Sequence, residues 1–178
     1  EISDPKELSN WKGAELGSHS DSKRFVGLFL NTQDQYLSEK SLRQALDYAI
    51  NKEKLSNNRA LGPISPDSWA FNSLVKPYDY NLPRAKELFG KLGKEIKPQS
   101  LTIATIPSLL TTAELIAQDW RELGLEVVVQ VAAGVPQAFQ SLLATQEIPP
   151  DPDQYTLWHS TQKESNITRY NNPRVDKL

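Results

Sequence analysis

Two carboxylates and an imidazole, Asp151, Asp153 and His159, are the residues best equipped for chemistry. Together they could hold a divalent cation or exchange protons with a bound substrate. The same spacing has a structural reading, and it is the stronger one. Pro152 fixes the chain between the two acids, and Asp in such a stretch caps a turn or the next helix. A metal site would need a further ligand, and the only other histidine, His19, lies in a segment of loop composition. Ser108, Ser141 and Ser160 all lack the Gly-x-Ser-x-Gly surroundings of a nucleophile elbow. Ser160 adjoins His159, but neighbours in sequence rarely align as nucleophile and base. A small metal-assisted hydrolase built on Asp151, Asp153 and His159 stands as the enzymatic alternative.

Two aromatic residues have a binding reading beside a structural one, and the structural one is the stronger. Trp69 and Trp158 sit in irregular, proline-containing segments, where an aromatic ring can line a ligand cleft or staple its own loop. Trp120 falls on an apolar helical stripe and reads as core. Trp11 lies too near the start of the chain to interpret. Lys76, Lys91, Lys94 and Lys97 are interleaved with acids and read as a solvated face.

The elements that must position these residues are legible from periodicity. Residues 1–23 are polar, with one helical turn expected at Ser3–Leu8 and a loop at Ser18–Ser22. Arg24–Asn31 is a short bounded apolar run, expected as a buried strand. Leu42, Ala45, Leu46, Ala49 and Ile50 form one helical stripe in a helix over 38–50, with Ser38 as its cap. A short helical piece follows at Lys52–Asn57. Residues 60–82 hold prolines and turn signals but no period, and Trp69, Phe71, Tyr78 and Tyr80 are expected to pack that loop. A helix is expected from Leu82 to Leu92, capped by Asn81 and stopped by Gly93. Leu101–Ile106 reads as a strand, 109–123 as a helix closed by Gly124, and Leu125–Val131 as a β-branched strand. Strand, helix and strand joined by short links make a βαβ unit with parallel strands. Ala138–Ile148 fits helix or strand by period alone. No phosphate-binding glycine loop is present.

Composition sets outer limits. The 178 residues suit one domain able to bury a core. The 20 Lys and Arg against 22 Asp and Glu, a net charge of −2, argue against a nucleic-acid partner. The absence of cysteine excludes disulfides and thiol chemistry. No apolar run approaches the roughly 18–20 residues of a membrane span. There is no Met, and Asn172–Leu178 reads as a helix just beginning, so a fragment cut at both ends is expected.

Several segments in order resemble one family. Leu28-Phe29-Leu30-Asn31-Thr32 and Ser41-Leu42-Arg43-Gln44-Ala45-Leu46-Asp47-Tyr48-Ala49-Ile50-Asn51-Lys52-Glu53-Lys54-Leu55 are similar to a strand and helix of extracytoplasmic solute-binding proteins of ABC transporters. The subgroup is family 5, the oligopeptide, dipeptide and nickel class. The resemblance continues through Gly62-Pro63-Ile64-Ser65-Pro66-Asp67-Ser68-Trp69-Ala70, Lys76–Asn81, Ala85–Phe89, the βαβ unit, Asp151-Pro152-Asp153 and Tyr170–Leu178, about residues 24–178 in all.

The resemblance implies an α/β fold, a mixed sheet with flanking helices, forming one lobe of a type II periplasmic-binding-protein fold. Residues 1–178 would be a single domain, part of the second lobe of a two-lobed protein. It implies binding without catalysis or cofactor, of a peptide or other small solute held between lobes, by a monomer outside the cytoplasm, periplasmic or lipid-anchored. The partner would be the membrane permease of an importer; reuse as a ligand sensor is a further possibility. Peptide binders of the family carry Gly-Trp-x-x-Asp-Tyr-x-Asp-Pro-Asp, whose Asp holds the peptide amino terminus. Here the Trp position is Thr145 and the Asp position is Ile148, with Glu147 one residue away as a substitute. By this alignment Phe139–Ile148 is largely strand, and strand is the expectation. The expected cleft contacts are Asn31, Trp69, Glu147 and Trp158, with Asp151 and Asp153 structural.

Overall fold

The computed structural model describes residues 23–56 and 58–177. The helical turn at Ser3–Leu8, the loop at Ser18–Ser22, Trp11 and His19 lie outside the described residues, as do Asn57 and Leu178.

A four-stranded mixed sheet organises the chain. Its strands are β1 (Arg24–Leu30), β2 (Ser100–Thr105), β3 (Glu126–Val131) and β4 (Ser141–Glu147), in the order β1-β4-β2-β3. β2 runs parallel to β3, pairing Ser100 with Glu126 through Thr105 with Val131. β2 is also parallel to β4, and β1 is antiparallel to β4, pairing Arg24 with Glu147 and Leu30 with Ser141. The βαβ unit is therefore parallel, as its short links required. The 138–148 ambiguity resolves as strand from Ser141 onward. β4 lies between β1 and β2, and Ser141 through Ala144 are all buried. A strand covered on both faces loses its alternation, so its apolar run mimics a helix.

Helices α1 (Lys40–Ala49), α3 (Leu82–Gly90) and α4 (Leu110–Arg121) cover one face of the sheet, with the single turn α2 (Lys52–Leu55) following α1. Leu42, Ala45 and Leu46 of α1, Phe89 of α3 and Ile116, Ala117 and Trp120 of α4 meet Leu101, Ile103, Val127 and Leu143 of the sheet. Each buried large side chain contributes about 1.5–3 kcal/mol, more than helix propensity supplies per residue, so packing decides these helices. Trp120 is fully buried, and its Nε1 donates to the Leu46 carbonyl at 3.0 Å. Asp119 accepts from the Asn51 amide at 2.7 Å and pins α4 to the junction of α1 and α2. Gly124 takes φ +83° and turns the chain from α4 into β3.

The other face is smaller. Phe29, Ala104, Leu142 and Ala144 pack against Phe139, Trp158 and Ile167, the last two from the segment around α5 (Tyr155–Trp158).

Several expectations need correction. β1 is an end strand among the described residues, and Phe29 is its only buried residue, so the apolar run does not mark a strand buried throughout. Glu39, not Ser38, caps α1, accepting from the Ser41 amide. That bond holds the Glu39 carboxyl below the usual range. α3 ends at Gly90, short of Gly93. Asn81 does cap it, accepting from the Arg84 amide at 2.9 Å. In the 60–82 loop Tyr78 packs on Tyr48 at 5.3 Å, but Trp69 is 89% exposed and Tyr80 is also exposed, so neither staples the loop. Lys76 lies 4.4 Å over the Tyr78 ring and Lys97 4.4 Å over Phe89, so these two lysines are packed against aromatics rather than merely solvated.

Candidate functional site

The sheet register creates the site. Arg24 faces Glu147 across β1 and β4, and the Ile148 amide donates to the Lys23 carbonyl at 2.7 Å. The start of β1 and the carboxyl end of β4 therefore share one edge. In open α/β sheets ligands settle outside the carboxyl ends of the parallel strands.

Two irregular segments complete a cleft of about 570 Å³ there. One is the proline-rich strap 148–154, shaped by its own acids. Asp151 Oδ1 accepts from the Asp153 amide at 3.0 Å, and Asp153 Oδ1 from the Tyr155 amide at 2.9 Å. These are Asx turns, the structural role expected of both residues. The other is the loop 64–68, in which Ser65 accepts from the amides of Asp67 and Ser68. The cleft is lined by Lys23, Arg24, Ile64, Ser65, Asp67, Ser68, Glu147, Ile148, Pro149, Pro150, Pro152 and Gln154. Acids, bases, hydroxyls and an amide thus converge beside prolines and two isoleucines. A depression of about 540 Å³ along the outer face of α4 is lined by Leu110, Thr111, Glu114, Leu115, Gln118 and Arg121. It belongs to one helix and meets no strand end.

Of the expected contacts, Glu147 lines the cleft. Trp158 reaches it through a partner: its Nε1 donates to Gln154 Oε1 at 2.7 Å, and its ring stacks on Phe29 at 6.2 Å. Trp69 follows Ser68, a lining residue, but stands out in solvent. Asn31 lies past the opposite end of β1, buried, with Nδ2 donating to the Phe139 carbonyl and Oδ1 accepting from the Gln33 amide. It braces the loop before α1 and does not line the cleft.

Residue reasoning did not single out Lys23, Arg24, Ser65, Ser68 or Gln154. The turn signal Ser65-Pro66-Asp67 was the one local clue to the loop.

Asp151, Asp153 and His159 do not form a metal-holding group among the described residues. Ser160 Oγ donates to Asp176 Oδ2 at 2.6 Å, which holds the Asp176 carboxyl below the usual range. His159 Nε2 is 4.0 Å from Asp176 Oδ1, while its Nδ1 faces Thr161 Oγ1 at 2.8 Å. The serine proton is thus directed at a carboxylate, not at the imidazole, and this is not a nucleophile–base pair. Among the described residues no three His, Asp or Glu are grouped to hold a metal ion, and no helix is long and apolar enough to cross a membrane.

Comparison with known proteins gives the lineage. The family model of bacterial extracellular solute-binding proteins, family 5 Middle, matches residues 2–166. The heme-binding protein A of Haemophilus influenzae is 27% identical over 172 residues, 83% of this chain and 31% of that protein. The oligopeptide-binding protein AppA from Bacillus subtilis, solved with a nonapeptide, superposes with a TM-score of 0.76 at 23% identity, covering 86% of this chain and 37% of its own. NikZ from Campylobacter jejuni, solved with Ni(L-His), gives 0.73 at 23% identity, covering 87% and 38%. The chain thus spans about a third of the length of these relatives, and it shares with the two structures the mixed α/β fold of periplasmic binding proteins. The chain belongs to the bacterial extracellular solute-binding proteins of family 5.

Proposed function

We propose that the protein is the substrate-binding component of an ABC importer, taking peptides or a related small solute and delivering them to a membrane permease. The described residues form part of one lobe, and the cargo is held between this lobe and another. The observation that carries the reading is the cleft at the carboxyl end of β4. Lys23 and Arg24 line it with Asp67 and Glu147, together with the hydroxyls of Ser65 and Ser68 and the amide of Gln154. That mixture suits a zwitterion with a polar backbone better than an apolar ring or a bare anion. Relatives that include a heme-binding protein and proteins solved with a nonapeptide and with a nickel–histidine complex support a small cargo and leave its class to the cleft.

Glu147 takes the charged amine of the cargo in place of the Asp absent at Ile148. Trp158 acts through Gln154, and Trp69 meets cargo from its exposed position. The protein works as a monomer outside the cytoplasm, free or lipid-anchored, and catalyses nothing.

Titration calorimetry of the purified protein with mixed tripeptides and pentapeptides tests this. Saturable binding of peptide, with no heat on adding zinc or manganese and no cleavage of the peptide, is the expected result. Metal-dependent hydrolysis, or peptide inertness beside tight binding of another solute, would overturn it.

A further inference from the structure

Among the described residues, one buried side-chain polar atom has no hydrogen-bond partner: Nε2 of Gln154. Its identity as nitrogen follows from Trp158. An indole N–H can only donate, so the Gln154 atom 2.7 Å from Nε1 must be the carbonyl oxygen. Flipping the amide would set two donors against each other. Trp158 is in turn held by its stacking on Phe29. Packing on the sheet therefore fixes which way the amide faces, and it leaves a donor unpaired at a residue that lines the cleft. Folded proteins rarely leave a buried donor unpaired, because it has lost water and gained nothing. In a binding cleft the missing acceptor belongs on the ligand.

We infer that Gln154 is a specificity-determining residue of this cleft, with Nε2 donating to a carbonyl or carboxylate oxygen of the cargo. The inference rests on the peptide reading above and adds to it the residue that selects for an acceptor oxygen. Nε2 is shielded from solvent. For a cargo oxygen to reach it, the proline-rich strap 148–154 that carries Gln154 must shift. A cargo offering no oxygen at that point would leave the donor unpaired and bind more weakly.

The test compares the protein with Gln154→Glu and Gln154→Met against one tripeptide in two forms, the free acid and its C-terminal amide. Gln154→Glu keeps an oxygen for the Trp158 N–H but has no donor. Gln154→Met has neither, and it separates loss of the donor from the added charge of Glu. Both variants should bind the free acid about tenfold more weakly or worse. Thermal midpoints of both variants without peptide, well above the assay temperature, show that any loss of binding is not a loss of folding, although the carboxylate of Gln154→Glu at a shielded position lowers its own midpoint somewhat. If the loss is smaller for the amide form, the acceptor is the terminal carboxylate, whose charge strengthens the bond; if it is equal, the acceptor is a neutral carbonyl of the peptide. Variants that bind like the parent would overturn the assignment, with Nε2 then satisfied by water alone and the peptide reading intact. A parent protein that binds neither form would overturn the peptide reading and this assignment with it.

Discussion

Trp120 shows how one side chain ties a helix layer together. Its ring fills the space between α1, α4 and the sheet, and its N–H satisfies the Leu46 carbonyl from another helix. Trp120→Phe keeps an aromatic ring but leaves that carbonyl unpaired and a gap behind. Stability should fall by about 1–3 kcal/mol, read as a lower urea midpoint with an unchanged slope. An unmoved midpoint would mean that water replaces the indole at no cost. Glu87 is the surface counterpart. Hydrogen bonds from Lys91 and then Arg84 lower its carboxyl pKa from 4.5 to about 2. The folded value is depressed, so the stabilisation is present above about 4.5 and is lost as pH falls toward about 2. Glu87 is exposed to solvent, and salt screens such pairs. NMR titration should find its midpoint well below the ordinary carboxylate range at low salt and higher in molar salt. An ordinary midpoint at both salts would show that the two bridges do not persist in solution.

β1 carries the clearest consequence for an element. A Cβ on Gly27 would lie 2.8 Å from Phe29 Cζ and 2.9 Å from Phe25 Cε2. Phe29 is buried and stacked on Trp158, so its ring has little room to swing aside. Gly27→Ala should cost about 1–3 kcal/mol. A thermal midpoint equal to the parent's would show that both rings relax freely. The elements differed in how plainly the sequence announced them, for physical reasons. α1 and α4 each bury one stripe, so period and capping were enough to place them. β4 is covered on both faces and carries no alternation, so period alone left it ambiguous and the family alignment was what gave strand. β1 has the same apolar run but lies at the sheet's end among the described residues, a fact of topology that no local pattern encodes. The cleft was half legible. Glu147 came from the spacing of a family motif. Lys23 and Arg24 join it only through the register of a strand pair separated by more than a hundred residues, and Gln154 was visible only once its amide had met Trp158.

At the largest scale, the described residues form a platform with the cleft at one end. Helices cover one sheet face and brace it, a smaller aromatic cluster covers the other, and the cleft opens where β4 ends. Its lining comes from loops and strand ends, which can change with cargo while the core stays fixed. A second lobe closing over this edge would remove the cargo from water and strengthen each polar contact it makes. The proposed cargo is therefore peptide-like. The most direct measurement is native mass spectrometry of the full-length protein purified without added ligand. A spread of adduct masses matching short peptides, released on mild activation, is the predicted result. A bare mass that gains one discrete adduct with a nickel–histidine complex, and none with peptides, would contradict it.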